Sequence, residues 1–306
     1  KNNYLILENI PLPSQISKQF TKTRGFTLVE LLIVVAIVGI LLSLILVMAG
    51  QAMQSAKNST EASSLRQVLQ SYVLASADQN GKFIEGYTND PEETVYDLHG
   101  NLVPFPASAR YVWRLLPYLD NAADILYVNG QENVLSQTIE SECFSYITSL
   151  FPSFGLNSEW MGGDFRTTAS PALESKRLYA KYHSDVKTPA NQLVFASAKA
   201  PTGTEDDPAL GDCLGGSVAG LEEGFYEVTS PYDFQWRWNT VDGNHSYAPT
   251  MNSADHGYLS ARHNGKVLTG QLDGSTSTLT IEQLSDMRKW APRATTHDWN
   301  LTSLFP

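Results

Sequence analysis

Residues 31–50 are twenty consecutive amino acids without a charge, rich in Leu, Ile and Val, and this run restricts the chain more than any other feature. A helix of that length crosses a hydrocarbon core of about 30 Å. A cleaved secretory signal has a shorter apolar region followed by a small-residue site, which Ala49-Gly50-Gln51-Ala52 imitates only weakly. The distribution of charge agrees with a span: Lys1, Lys18, Lys22 and Arg24 precede the run, while acidic residues dominate after it within a net charge of -11. A basic head stays on the cytoplasmic side, which leaves the acidic remainder outside. An acidic body without a basic stripe argues against nucleic acid or anionic lipid as its principal partner.

Helical periodicity continues beyond the apolar run. Leu65, Val68, Leu69, Tyr72 and Val73 recur at the spacing of an amphipathic helix, and Asn80-Gly81 supplies a stop. The spacing predicts one helix from Phe26 to about Asp78, with a break near Gly50 as the competing reading because Gly weakens a helix interior. Residues 81–306 are enough to build a sizeable core of their own. Glu30 is out of place near the start of the apolar stretch. A carboxylate in hydrocarbon costs roughly 3 kcal/mol unless it has a partner or lies at the headgroup level.

Lys22-Thr23-Arg24-Gly25-Phe26-Thr27-Leu28-Val29-Glu30-Leu31-Leu32 closely resembles the cleavage and methylation signature of type IV prepilins and type II secretion pseudopilins. The resemblance implies that a membrane prepilin peptidase cuts after Gly25 and methylates the new amino terminus at Phe26. It also implies an assembly role for Glu30, whose charge and the new ammonium compensate each other where either alone is costly. Where many pilins carry a helix-bending proline, this chain has Val47. The implied fold is α+β, a pilin-like lollipop with a long N-terminal helix packed on an antiparallel β-sheet with long loops. The implied divisions are a leader at 1–25, a membrane and assembly half-helix at 26–50, an amphipathic half-helix at 51–80 and an extracytoplasmic body at 81–306. The implied function is a structural, non-enzymatic filament subunit of the bacterial inner membrane. Its partners are the prepilin peptidase, other pilin or pseudopilin subunits and the inner-membrane assembly platform.

Within the body, residues 82–106 read as loop or short strands, 111–119 as a short helix closed by Pro117, and 124–150 as partly helical. Leu193-Val194-Phe195-Ala196 reads as a buried strand. Near the end, Asn264-Gly265 and Asp273-Gly274 are hairpin signals. They predict a three-stranded antiparallel meander across residues 258–280, with strands at 258–263, 267–272 and 275–280.

His263, nine intervening residues and then Asp273-Gly274 resemble the H-x9-DG signature of certain bacterial prepilin-like proteins. Leu115-Leu116-Pro117-Tyr118, Phe154-Gly155-Leu156-Asn157 and Val186-Lys187-Thr188-Pro189 are similar to segments of the same family. In physical terms Asp273 satisfies the backbone of its turn, Gly274 supplies a positive φ and His263 closes the hairpin. A tethered hydrolase using His263 and Asp273 is the competing reading, and it lacks a nucleophile.

Three further features leave alternatives open. Cys143 and Cys213 are either a disulfide, permitted in an oxidising compartment, or two separate buried thiols. Glu205, Asp206, Asp207 and Asp212 are either a solvated acidic loop or weak calcium ligands, and no other cofactor is expected. Trp236 and Trp238 share one face of a strand. They either pack in the core or face a glycan or partner, as in a membrane-anchored binding or adhesion protein that uses the same export route.

Overall fold

The computed structural model describes residues 25–89, 94–138, 143–168, 178–204, 210, 221, 223–232, 237–239 and 247–300. It divides into two compact units, residues 1–52 and 53–306. In the first, the described part is the beginning of helix α1 (Leu28–Asp78), which continues without interruption into the second. The competing break near Gly50 does not occur.

In the first unit the apolar side chains of α1, from Leu28 through Met48, are exposed wherever they are described. A stripe of that kind covers one face of a water-soluble helix; here it runs all round, as in a segment that crosses a membrane. α1 is long and apolar enough to do so.

In the second unit the same helix changes character. Leu65, Val68, Leu69, Tyr72 and Ala75 are all 1% exposed or less, while Val73, on the edge of the stripe, is only partly buried. Each large side chain buried this way contributes about 2 kcal/mol. The helix ends where Asn80 and Gly81 turn left-handed, with φ of 55° and 83°. The Gly81 amide reaches back to the Ser76 carbonyl at 2.7 Å, a bond that closes the last turn.

The buried face of α1 lies on a five-stranded sheet in the order β3-β1-β2-β4-β5. Its strands are β1 (Phe154–Asn157), β2 (Leu193–Ser197), β3 (Glu227–Val228), β4 (Val267–Gln271) and β5 (Thr276–Leu279). β2 is buried along its whole length, as the apolar run at 193–196 predicts. The Tyr72 ring packs edge-on against Phe195 of β2 and stacks on Phe83, at 5.5 Å in each case. On β4, a Cβ at Gly270 would stand 2.7 Å from Leu69 Cδ1, so glycine is what lets the helix settle this closely. Residues 111–119 form helix α2 (Tyr111–Leu115) followed by a tight turn of 3-10 helix over Leu116–Leu119. The region 124–150 is not one helix but separate short pieces, among them α3 (Val134–Thr138) and α4 (Phe144–Leu150).

Two expectations about the sheet require correction. It is not wholly antiparallel: β1 and β3 run parallel, with Leu156 opposite Glu227 and Asn157 opposite Val228. Gly155 permits this approach, since a Cβ there would lie 2.6 Å from the Glu227 backbone.

The meander is also shorter than expected. β4 and β5 pair in register across the Asp273-Gly274 turn, but residues 258–263 are not a third strand beside them. The other edge of β4 is already taken by β2. Residues 258–260 instead bond to the chain leaving β2, through Lys199 N to Tyr258 O at 2.8 Å and Ser260 N to Ser197 O at 2.9 Å. Of the expected first hairpin only the turn survives, with Asn264 and Gly265 at φ of 54° and 77° and reciprocal 3.1 Å bonds between His263 and Lys266.

Filling the space at Gly270 is expected to expel the helix from β4. Gly270→Val should lower the stability of the body by about 2 kcal/mol, measured as a reduced urea midpoint for the full chain in detergent. An unchanged midpoint would show that α1 does not bear on β4 at this point.

Candidate functional site

Two groups of residues singled out by sequence acquire a geometry. The first opens α1. Thr27 precedes the helix, and its hydroxyl accepts the Glu30 amide at 3.2 Å. The Glu30 Oε2 in turn accepts from the Thr27 amide and the Thr27 hydroxyl, each at 2.8 Å. This is a reciprocal capping box, in which two amides that the helix itself leaves unpaired find partners. Glu30 therefore has a partner within its own chain, supplied by the T-x-x-E pattern in Thr27-Leu28-Val29-Glu30. The pattern is visible in the sequence, but reading Glu30 only as an assembly residue passes over it. Gly25 and Phe26 lie directly before the capping box and are exposed.

The second group surrounds the histidine of the H-x9-DG pattern. His263 does not reach Asp273: no hydrogen bond or ion pair among the described residues joins them. Asp273 Oδ1 accepts from the Ser275 amide at 2.9 Å and the Ser275 hydroxyl at 2.6 Å, and Gly274 sits at φ 85°. Those bonds hold the Asp273 carboxyl below its usual range. The turn thus has the form expected of it, and the His263 backbone closes the Asn264-Gly265 turn through its paired bonds to Lys266, while its side chain is engaged elsewhere. Its Nε2 stands 2.9 Å from Oε2 of Glu61, at ion-pair distance but without hydrogen-bond alignment.

Glu61 belongs to α1, four residues before Leu65 and on the same buried face. It is completely buried. Its Oε1 accepts from Nε and Nη2 of Arg262, at 2.9 and 2.6 Å, and its Oε2 also accepts from the Asn129 side-chain amide. Arg262 spends its remaining donors on backbone: Nη1 on the Ala198 and Glu223 carbonyls at 3.1 and 2.8 Å, and Nη2 on the Ser153 carbonyl at 2.8 Å. All five guanidinium N–H groups are engaged. One side chain thus ties α1 to the segments entering β1, leaving β2 and preceding β3. Burial opposes ionisation of Glu61, but Arg262 and His263 outweigh it and bring the carboxyl down to about 2.

A second buried cluster ties β3 to the segment after β1. Asp164 and Glu227 converge on Arg166, with Asp164 Oδ2 at 2.5 Å from Nη2. Tyr226 donates to Glu227 Oε1 at 2.9 Å. Burial raises the Glu227 carboxyl above its usual range even with Arg166 beside it. Both carboxylates share one cation, and the arrangement is a staple rather than an acid–base pair.

The remaining candidates fare differently. Trp238 is buried, donates to the Thr229 carbonyl at 3.1 Å and packs edge-on against Trp290 at 5.9 Å. As a ligand-facing ring it is ruled out, and Trp236 lies outside the described residues. Cys143 is disulfide-bonded; Cys213 lies outside the described residues. So do Glu205, Asp206, Asp207 and Asp212. Among the described residues, no group of His, Cys, Asp or Glu has the arrangement of a metal site.

Residues 20–46 match the family described as the prokaryotic N-terminal methylation motif. The chain carries a prepilin-type N-terminus. No curated protein and no solved structure matches the chain. The match covers the segment that holds Gly25, Phe26 and Glu30, and it supports a precursor of the pilin or pseudopilin type. The apolar first unit agrees with membrane anchoring.

The Glu61 cluster has a pH signature. Glu61→Gln leaves Arg262 buried without its counter-charge, and a loss of about 3 to 5 kcal/mol is expected. The Glu61 carboxyl titrates at 4.5 when unfolded and at about 2 when folded, so the folded state favours the ionised form. Its contribution is full above pH 4.5 and disappears as pH falls through about 2. Urea unfolding of both proteins across that window should show the gap between them closing. A constant gap would mean that folding does not lower the pKa of Glu61.

Proposed function

We propose that this chain is a structural subunit of a type IV pilus or a type II secretion filament. The observation that carries the reading is the methylation motif set directly before a helix whose apolar side chains are exposed all round. A helix of that kind needs lipid before assembly and other apolar helices after it. Prepilin peptidase removes residues 1–25 and methylates Phe26, and the body is held outside the inner membrane by α1 while the basic leader stays in the cytoplasm. The assembly platform then draws the subunit from the membrane into contact with its neighbours.

The capping box gives Glu30 two successive partners. In the precursor its carboxylate is bound by Thr27 of the same chain. After cleavage the ammonium at Phe26 competes for it, in a low-dielectric setting where a charged partner is worth more than a neutral one. The protein performs no catalysis of its own in this reading. The separation of His263 from Asp273, with each committed to another partner, supports it against a tethered hydrolase.

Mass spectrometry and N-terminal sequencing of the protein from membranes of a host with a prepilin peptidase test the processing route. The expected product begins at methylated Phe26, and a Gly25→Leu variant is expected to retain residues 1–25. A wild-type product that keeps those residues, or that begins near Gln51, would overturn the reading.

A further inference from the structure

Residues 247–262 and the chain leaving β2 enclose a cavity of about 290 Å³, open to solvent on one side. It has the lower-end volume of small-molecule sites, roughly 300 Å³, and so admits one small molecule. We propose that it binds a small, neutral, polyhydroxylated ligand of the size of a single sugar ring. This function goes beyond the filament role and does not depend on it.

The charges on the wall decide the class of ligand. Lys199, Glu223 and Arg262 all line the cavity, yet each already has a counter-charge. Lys199 Nζ donates to Glu223 Oε1 at 2.6 Å, and Arg262 has spent all five donors on Glu61 and three carbonyls. An anion would have to break the Lys199 pair and face Glu223; a cation would have to face Lys199 and Arg262. A neutral ligand breaks nothing. Its hydroxyls can use the acceptor sites a carboxylate retains after one bond, together with the hydroxyls of Thr202, Thr250 and Ser260 on the same wall. Tyr247 adds a ring and Met251 an apolar surface for the carbon skeleton.

Two further observations mark the cavity as built. His256 on its wall is buried and its Nε2 has no hydrogen-bond partner, a state that costs about 1–3 kcal/mol when left unmet. Beside it, Tyr258 holds a φ of 60°. The other left-handed residues apart from glycine, among those described, are Asn or Asp, which tolerate this region far better than an aromatic residue does. Strain of that kind persists where the surroundings enforce it, and it concentrates at ligand sites. Here the Tyr258 amide and carbonyl are fixed to Ser253 O and Lys199 N, both at 2.8 Å, and both partner residues line the cavity.

Saturation-transfer NMR on the full chain in detergent tests the assignment, with glucose and N-acetylglucosamine as neutral probes and glucuronate as the charged one. Transfer to the neutral sugars is expected, with little to glucuronate. Transfer should be lost in Thr250→Trp, which fills the mouth of the cavity from an exposed position and leaves the core untouched. Tyr247→Ala should weaken it. Absence of transfer to both neutral sugars, transfer that survives Thr250→Trp, or transfer to glucuronate equal to that of glucose would each overturn the proposal. Cleavage after Gly25 is not involved, so failure here leaves the filament reading standing.

Discussion

A carboxylate cannot be buried on the face of a helix unless something answers its charge, and Glu61 is such a carboxylate. The answer is Arg262, 201 positions along the chain. Because Arg262 also donates to the carbonyls of Ser153, Ala198 and Glu223, one guanidinium gathers the helix and three separate stretches of the body. Hydrophobic contacts along Leu65, Leu69 and Tyr72 supply most of the attraction between helix and sheet, but they are non-directional. The ion cluster has one geometry, and it sets how far along its own axis the helix can lie.

This arrangement gives the H-x9-DG pattern a physical division of labour. Asp273 and Gly274 build the turn between β4 and β5, which leaves β4 between β2 and β5 with Gly270 beneath Leu69. His263, at the other end of the pattern, precedes β4 and joins Arg262 at Glu61. The nine intervening residues are therefore the distance from the helix-binding end of the segment to its far turn. A catalytic dyad has no place in that geometry.

The two ends of α1 carry charge differently. At the start, Glu30 is matched locally, by a threonine three residues away. In the second unit, Glu61 is matched by residues brought from the far end of the chain. A local partner can be exchanged for another without disturbing the body. The partners of Glu61 cannot be exchanged without opening the core.

Features set by near neighbours were legible in the sequence. The apolar run, the amphipathic stripe at 65–72, the stop at Asn80-Gly81 and the two glycine turns follow from periodicity and backbone sterics within a few residues, and the prepilin signature is itself a short string. The T-x-x-E capping box was equally local and equally readable. What only the tertiary structure decided were choices among distant partners. Residues 258–260 have strand-like composition, but whether they pair with β4 or with the end of β2 depends on β2 already occupying that edge. The parallel approach of β3 to β1 depends on the space above Gly155, and the burial of Trp238 on Trp290. Glu61 shows the limit most directly. Its position four residues before Leu65 puts it on the buried stripe, so the sequence states that a partner is required. Which cation supplies it is a matter of long-range packing, and helical periodicity carries no information about that.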